Sequence, residues 1–359
     1  MPYYPEQRHL LDMTVIRRQR FLPEDAVGRV EVRNGAVVNL RDVVARGLLP
    51  SRYVIVEGAR YFNLKDPAEL SDLMLVEVGE TVEVKAPLAG RAGQRSKRLL
   101  SPVAGVVALV ADGRILVQVE PEEITLEAGV DATVVGVENE RGVIIETFGA
   151  LVQGVWGNGK RSIGSLRPEP EDGIESLYGE DLDMQYRGAV VVTRRPLRST
   201  GLMVLEAQGL GGIIAPSMDC DLIEESESAP GAVLLTEGFG SIRMSTTVFG
   251  MLSGLNGKQV LLDAAQPERW SARRPEAIIN PTSRASARPP RPQANFPLNV
   301  NTQVRLTRSP NAGQMGRVVS LPKAPILLEN GLRTLCAEIE TLTGEKVVVP
   351  LANLEVFGR

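Results

Sequence analysis

Residues 75–118, LVEVGETVEVKAPLAGRAGQRSKRLLSPVAGVVALVADGRILVQ, are the stretch from which the fold of this chain is best inferred. Short runs of Val and Leu alternate with polar residues and are interrupted by glycines. Asp112-Gly113 separates two of these runs and favours a hairpin, because a type I′ turn needs positive φ at both central residues. A lone hairpin buries too little to be stable, so we expect neighbouring segments to close it into a sandwich or barrel.

Two parts of this stretch resemble the barrel-sandwich hybrid domain. VGETVEVKAPLAG at residues 78–90 is similar to the first hairpin of that family, and SPVAGVVALVADGRILVQ at residues 101–118 is similar to its second half. The family includes biotinyl and lipoyl carriers and cofactor-free domains of membrane electron-transport subunits. The resemblance implies that a lysine on a hairpin tip, here Lys97, carries a prosthetic group. Lys97 lacks the usual Met or acidic neighbours and lies close to the next Ser-Pro pair, so we expect a cofactor-free domain over residues 71–166.

The composition of the whole chain indicates several β-rich domains. The chain has 359 residues with 35 glycines and 24 prolines, whereas only 4% of its residues are aromatic. These values favour many short strands and tight turns in two to four domains. The formal net charge of −4 excludes a global basic field for nucleic acid or anionic lipid, but it allows a local basic patch. Cys220 and Cys336 are far apart, and no apolar run reaches the roughly 18 residues of a membrane helix. We therefore expect a cytoplasmic protein with free thiols and no membrane partner.

The N-terminal part, residues 1–70, is predicted to be a β-hairpin region. MTVIRRQRFLP at residues 13–23 alternates apolar and basic residues, as an edge strand does. A pattern of alternating Val residues followed by a turn with Gly comes next, and it recurs near residues 103–113 and 132–145. The copies are irregularly spaced, so we interpret them as repeated hairpins rather than as a solenoid.

A glycine-rich loop, GALVQGVWGNGKR at residues 149–161, surrounds Trp156 and Lys160. Clustered glycines let the backbone bend sharply. One interpretation is a binding loop that exposes these two side chains. The other, which we favour, is a tight turn with Trp156 packed across the end of a barrel. An acidic stretch with Pro and Gly follows at residues 167–183 and indicates a domain boundary.

The segment 186–281 changes to an alternation of strands and helices. Strands are predicted from apolar runs and helices from helical spacing, and together they are typical of a small parallel sheet with helices on both faces. The predicted strands lie at residues 189–193, 212–215, 232–236 and 260–263, and the predicted helices at 200–209, 219–225 and 243–255.

The carboxyl edge of this sheet is the predicted ligand site, since open parallel sheets bind ligands there. The candidate residues at the edge are Asp219, Thr236, Glu237, Gly238, Gly240 and Arg243. Ser241 would cap the following helix, and the free N–H groups of its first turn would receive an anion. No Gly-Lys-Ser/Thr follows, which excludes a P-loop, and the glycines are also explained by a tight strand-to-helix turn. The candidates include no His or Cys, which argues against acyl transfer.

The last segment, residues 298–359, resembles the KOW module of transcription elongation factors and ribosomal proteins. The resemblance is carried by TQVRL and PNAGQMGRVV, and it places Gly316 at the hairpin bend beside Gly313 and Arg317. It implies a five-stranded SH3-like barrel that contacts RNA, RNA polymerase or another protein. Acidic and basic residues are balanced in this module, so its own surface is not a strong phosphate track. A Pro- and Arg-rich linker over residues 282–297 precedes it.

Together these patterns predict a multi-domain, β-dominated protein with a hybrid barrel-sandwich, a small parallel α/β domain and a C-terminal SH3-like β-barrel. The single histidine, His9, lies in a polar arm, so we expect no metal site, no cofactor and no histidine-based catalysis. The favoured function is a non-catalytic binding or scaffold protein that presents β modules to a protein partner. One alternative is an RNA- or transcription/translation-associated factor that acts through residues 298–359. The other is a small-ligand-binding or enzymatic α/β domain at the 236–243 loop.

Overall fold

The computed structural model describes residues 3–91, 97–179, 183–266, 273–280, 289–292, 296–308 and 310–357. The chain is β-dominated, with 45% strand, 14% helix and several sheets, which confirms the fold class at this level. Residues 93–96, which precede the candidate Lys97, and most of the predicted linker, residues 282–288 and 293–295, lie outside the described residues. Over the ranges described, no helix is long and apolar enough to cross a membrane.

The first strands of the chain are distributed among several sheets. They are β1 (Glu6–Arg8), β2 (Leu10–Phe21), β3 (Val27–Val30), β4 (Val37–Val38) and β5 (Val43–Leu49). Only β3 and β5 pair with each other, with Val27 opposite Leu48. The other three strands pair with partners much later in the chain, so hydrogen bonding runs across the predicted boundary at residue 70.

A self-contained β unit follows β5. Its elements are β6 (Arg52–Val56), α1 (Gly58–Phe62), β7 (Thr81–Val82), β8 (Pro87–Gly90), β9 (Arg98–Leu100), β10 (Gly105–Ala111) and β11 (Arg114–Val119). Four strands form an antiparallel sheet in the order β6-β11-β10-β7, and β8 pairs with β9. Asp112 and Gly113 join β10 to β11 with φ of 50° and 71°, which confirms the predicted hairpin turn. Every member of the hydrophobic core of this unit lies between residues 56 and 117.

After this unit the chain returns to pair with β5. Strand β12 (Glu122–Glu127) pairs antiparallel with β5, and Glu122 lies opposite Leu49. Residues 50–121 therefore leave and re-enter the fold at neighbouring positions. The predicted hybrid unit, residues 71–166, extends beyond this insertion. The hairpin at residues 132–145 was included in it because it has the same Val and Gly pattern, but that hairpin joins a different sheet. The assignment to the barrel-sandwich hybrid family stays a prediction.

That different sheet is the largest in the molecule. It contains β13 (Ala132–Glu138), β14 (Gly142–Gln153), β15 (Trp156–Gly157) and β16 (Arg161–Pro168). The twelve-residue strand β14 pairs antiparallel with β13 and also with β2, so that Glu146 lies opposite Arg17. The N-terminal region is thus joined to the middle of the chain by main-chain hydrogen bonds.

The α/β part contains every strand and helix that its sequence predicts. Its elements are β17 (Val190–Val192), α2 (Ser199–Ala207), β18 (Gly212–Met218), α3 (Ile223–Ser228), β19 (Ala232–Phe239), α4 (Thr246–Gly254), β20 (Gln259–Asp263) and β21 (Glu276–Ile279). Strands β16 to β19 are parallel and adjacent. Leu205 of α2 packs on one face of the sheet and Leu252 of α4 on the other, as predicted.

The fourth predicted strand differs from the expectation of an all-parallel sheet. Strand β20 is antiparallel to β16, with Ser165 opposite Gln259. After α4 the chain re-enters at the carboxyl end of β16, where the Gly257 N–H donates to the Leu166 carbonyl oxygen. Strand β20 therefore runs back along β16 and connects the parallel strands, through β21, to β14.

The last sheet includes the start of the chain. Its strands are β22 (Gln303–Leu306), β23 (Met315–Ser320), β26 (Cys336–Thr341), β27 (Lys346–Pro350) and β28 (Leu354–Phe357), whereas β24 (Ile326–Leu327) and β25 (Arg333–Thr334) form a separate hairpin. Strand β1 lies parallel to β28 and extends this sheet. Gly316 is not at the hairpin bend: it lies inside β23 opposite Val304, and Gly313, with φ of 84°, is the turn glycine. The SH3-like assignment stays a prediction.

Candidate functional site

A cleft of about 1550 Å³ opens between the α/β part and the C-terminal sheet. We call it the first cleft. One wall is the end of β19 with the loop that follows, from Glu237 to Arg243, and the opposite wall comes from residues 305–308 and 310–314. Residues 273–275 close one side. The structure therefore brings together two groups of candidates, the sheet edge and the KOW-like turn, that the sequence indicated separately.

Six of the candidate site residues line this cleft, together with Ser241, the predicted cap. They are Trp156, Glu237, Gly238, Gly240, Arg243 and Gly313. The turn and the loop are in close contact, because a Cβ on Gly313 would lie 2.8 Å from Cγ2 of Ile242. The close approach of the two segments explains why this turn needs a glycine.

The other candidates lie elsewhere and have other surroundings. Asp219 is exposed at the end of β18, and Thr236 is buried with its hydroxyl 3.4 Å from Oε1 of Glu237. The Lys160 Nζ donates to a carbonyl oxygen at the end of α3, so it braces a loop. Arg317 pairs with a glutamate of the neighbouring strand on the exposed face of the C-terminal sheet, at 2.9 Å, and Gly316 packs within that sheet.

The floor of the first cleft includes three members of a buried cluster of four charges. Its members are Arg8, Glu237, Arg305 and Glu355, whose side chains are at most 4% exposed. The guanidinium of Arg305 donates from Nε and Nη2 to Oε2 of Glu355 at 2.9 and 2.8 Å, and its Nη1 pairs with Glu237. Arg8 approaches the same two carboxylates at 3.3 and 3.9 Å. The Glu237 carboxylate is therefore part of a neutral cluster that joins β1, β19, β22 and β28.

The loop above this floor is held in shape by hydrogen bonds. Gly238 and Gly240 have φ of 111° and 110°, so both positions favour glycine. The Ser217 hydroxyl lies 2.7 Å from the carbonyl oxygen of Gly240 and 2.8 Å from that of Ile242. These bonds fix the path of the loop across the carboxyl ends of β18 and β19.

The predicted helix cap is wrong. Ser245, not Ser241, caps α4 and accepts a hydrogen bond from the Val248 N–H at 3.3 Å. Arg243 precedes the helix and is exposed at the cleft. An anion in the first cleft would thus meet the Arg243 side chain before the first turn of α4.

Trp156 is packed against its neighbours and also borders the first cleft, so the two interpretations of its loop stay open. It pairs with Leu235 along the edge of β19 and packs edge-on against Phe239 with ring centroids 5.6 Å apart, yet both rings also line the cleft. The loop after it is anchored by Asn158, a residue that sequence reasoning missed. Its buried Nδ2 donates to the carbonyl oxygens of Ser226 and Gly231 at 2.9 and 3.0 Å. The Gly-Asn-Gly context indicates only a turn and conceals this role.

The first cleft is strongly cationic although the whole chain is acidic. Arg243, Arg273, Arg274 and Arg308 line it in addition to Arg305 of the buried cluster. Among the lining residues that the structure describes, the carboxylates are Glu237 and Glu355, both of which belong to that cluster. Three separate segments supply these arginines, so they do not form one basic stretch in the sequence.

The arrangement can attract and orient an anion. In the part of the chain that the structure describes, no three His, Cys, Asp or Glu side chains are grouped as a metal site. None of the family models compared with this sequence matches it. No curated protein matches it either.

Proposed function

We propose that this protein is a non-catalytic binding protein that holds single-stranded RNA in the first cleft. The observation that carries the proposal is the convergence of Arg243, Arg273, Arg274 and Arg308 on one cleft. Arginine is well suited to phosphate, because its planar guanidinium offers paired donors. Positive side chains along a groove are also the main source of affinity for nucleic acids.

The size and lining of the cleft favour a strand over a small ligand. Pockets for small molecules usually measure about 300–1000 Å³, whereas this cleft measures about 1550 Å³. Trp156 and Phe239 present aromatic rings beside the arginines, and unpaired bases stack on such rings. A polar floor, an aromatic side and a cationic rim are the features of a groove for single-stranded nucleic acid.

Binding, rather than chemistry, is proposed because the carboxylates of the cleft are engaged. Glu237 and Glu355 each contact two guanidinium groups in the buried cluster. A carboxylate held in this way serves to fix Arg305 rather than to accept a proton from a substrate. The KOW-like resemblance of residues 298–359 supports RNA as the partner, since that segment forms one wall.

The proposal is tested by fluorescence anisotropy with a labelled oligouridylate of about 12 nucleotides. Arg273 also pairs with Asp263 at 2.7 Å, so the slope of log K against log salt is at most about −3, the value for four arginines that each neutralise one phosphate, and affinity falls by at most about 50-fold between 50 and 200 mM salt. The double substitution Arg243→Gln/Arg308→Gln should halve that slope. Arg60→Gln and Arg333→Gln are matched controls, because both arginines are exposed and line neither this cleft nor the adjacent one.

Two results would contradict the proposal. One is a lack of binding at 50 mM salt, and the other is binding that the Arg243→Gln/Arg308→Gln variant leaves unchanged. A labelled oligoglutamate peptide is measured in parallel. If it binds more tightly than the oligouridylate and depends on the same arginines, the partner is an acidic protein segment instead.

A further inference from the structure

A second cleft lies beside the first. It measures about 830 Å³ and is lined by β2, by the starts of β16 and β21 and by the end of β20. Arg273 and Arg274 line both clefts. The two clefts therefore adjoin along these two arginines, although their other walls come from different sheets.

The second cleft holds more positive than negative groups. Apart from the two shared arginines, its described lining contains five guanidinium groups, those of Arg17, Arg18, Arg20, Arg161 and Arg291. Three carboxylates stand against them. Glu276 pairs with Arg18 and Glu146 with Arg17 and Arg291, whereas Asp263 divides its charge between Arg161 at 2.8 Å and Arg273 at 2.7 Å. Among the described residues, guanidinium groups thus outnumber carboxylates in and around this cleft.

Arg20 is the most unusual of these residues. It is 4% exposed, and its Nε donates to the Ala128 carbonyl oxygen at 2.9 Å. Its Nη2 is buried and has no hydrogen-bond partner among the described residues. A buried guanidinium without a carboxylate in contact is costly. Burial and the neighbouring charge of Arg161 lower the pKa of Arg20 to about 10. The positive potential that opposes protonation of Arg20 also attracts an anion.

We infer that the second cleft binds phosphate groups of the same nucleic acid strand that occupies the first, with Arg273 and Arg274 at the junction. The inference rests on the proposed function. It assigns a role to Arg17, Arg18 and Arg20 of β2, which line the second cleft and not the first. It also predicts that the full binding site is longer than the first cleft alone.

The experiment compares oligouridylates of about 6, 12 and 24 nucleotides on the full chain by anisotropy. The variant is Arg17→Gln/Arg161→Gln. These side chains are 47% and 37% exposed, and Glu146 and Asp263 each keep another arginine partner, so the variant should fold. Thermal melting followed by circular dichroism checks this. Arg60→Gln/Arg333→Gln removes the same charge outside both clefts.

For the wild type, we expect the two longer oligonucleotides to bind at least about tenfold more tightly than the shortest one. The Arg17→Gln/Arg161→Gln variant should bind the shortest within about twofold of wild type but lose most of this gain. Its salt slope with the longest oligonucleotide should be smaller by about 1.4, which is about 0.7 for each lost phosphate contact. The control variant should keep the gain.

The outcomes separate the two proposals. If the variant keeps the whole gain with length, the second cleft is not part of the track, and the first cleft stands. If all lengths depend on Arg17 and Arg161 but not on Arg243 and Arg308, the proposed function of the first cleft fails, and the second cleft is the site. Inorganic phosphate is the further probe. If phosphate raises the melting temperature of the wild type but not of Arg17→Gln/Arg161→Gln, and this variant still binds every oligouridylate like the wild type, the second cleft is a site for free phosphate. That result would overturn the inference that it binds the strand.

Discussion

Neutralising Glu237 should loosen the contact between the α/β part and the C-terminal sheet. The substitution Glu237→Gln keeps the shape of the side chain and removes its charge. Arg8 and Arg305 then each lose one of the carboxylates that they contact, at sites where the side chains are at most 4% exposed. Removal of one partner from a buried pair costs roughly 3–5 kcal/mol, and because both arginines keep Glu355 we expect a loss of about 3 kcal/mol, the lower end of that range.

That loss is large compared with the whole stability of a domain, which is about 5–15 kcal/mol. The free energy of unfolding is measured by urea denaturation, followed by tryptophan fluorescence and by circular dichroism. The comparison is Arg317→Gln, which breaks the exposed pair with Glu340, whose side chains are 57% and 36% exposed. An exposed pair contributes at most about 1 kcal/mol, so this control should change little.

A double-mutant cycle strengthens the test. Glu237→Gln/Arg305→Gln restores the balance of one arginine and one glutamate in the cluster. The double variant should therefore lose less stability than the sum of the single variants, by about 1–3 kcal/mol. The reasoning is refuted if Glu237→Gln lies within about 1 kcal/mol of the Arg317→Gln control, or if the single effects simply add.

Three further predictions concern single residues. Gly113→Ala should destabilise the chain by at least about 1 kcal/mol more than Gly344→Ala, measured by thermal melting, and equal losses would contradict this. Both glycines have positive φ, but a Cβ on Gly113 would lie 2.5 Å from the Cβ of Ala59, whereas Gly344 has no heavy atom within 4 Å. Although burial raises the pKa of Asp263, Arg161 and Arg273 outweigh it and hold that pKa below its ordinary value. The stability that the Asp263 carboxylate contributes is therefore complete above about pH 4 and is lost as the pH falls further. Asp263→Asn should thus make the fall of the urea midpoint between about pH 6 and pH 3 smaller than in the wild type. An equal fall in both proteins would contradict the prediction. Arg20→Met should raise the melting temperature without nucleic acid. Burial lowers the pKa of Arg20 to about 10, well below its ordinary value, which corresponds to about 3 kcal/mol of unfavourable charge burial, against about 1 kcal/mol for the lost bond to Ala128. A lower melting temperature would refute this.

Local patterns in the sequence were sufficient to predict individual turns, strands and helices. The Asp112-Gly113 turn was predictable because few residues accept two successive positive φ values. The strands and helices of the α/β part were predictable because apolar runs and helical spacing record which faces are buried. The parallel order of β17, β18 and β19 followed from the helices between them.

Pairing between distant strands was not predictable in the same way. Strand β1 has three residues and joins β28 at the other end of the chain, and neither stretch carries a pattern that specifies its partner. The N-terminal segment and the KOW-like segment therefore looked independent. The position of β16 between β17 and β20 was hidden for the same reason, since the alternating pattern of a strand does not say which edge it joins.

The candidate site was only half visible in the sequence. The loop 237–243 and Gly313 could be singled out by their glycines and their place in the chain. Arg8 and Glu355 looked like ordinary charged strand residues, and their burial beside Arg305 became apparent only in the folded chain. The arginines of the two clefts come from segments that are far apart in sequence, so a count of charges along the chain does not detect them.

The way residues 50–121 depart from β5 and return in β12 has a consequence for the history and engineering of this chain. Because Leu49 and Glu122 are cross-strand neighbours, a two-residue Asn-Gly connection would join them directly and complete an ordinary ribbon. The segment between them has its own hydrophobic core, so it resembles a separate domain inserted into a hairpin. We call it the cassette. A gene could acquire, lose or exchange this cassette while the rest of the polypeptide kept its architecture.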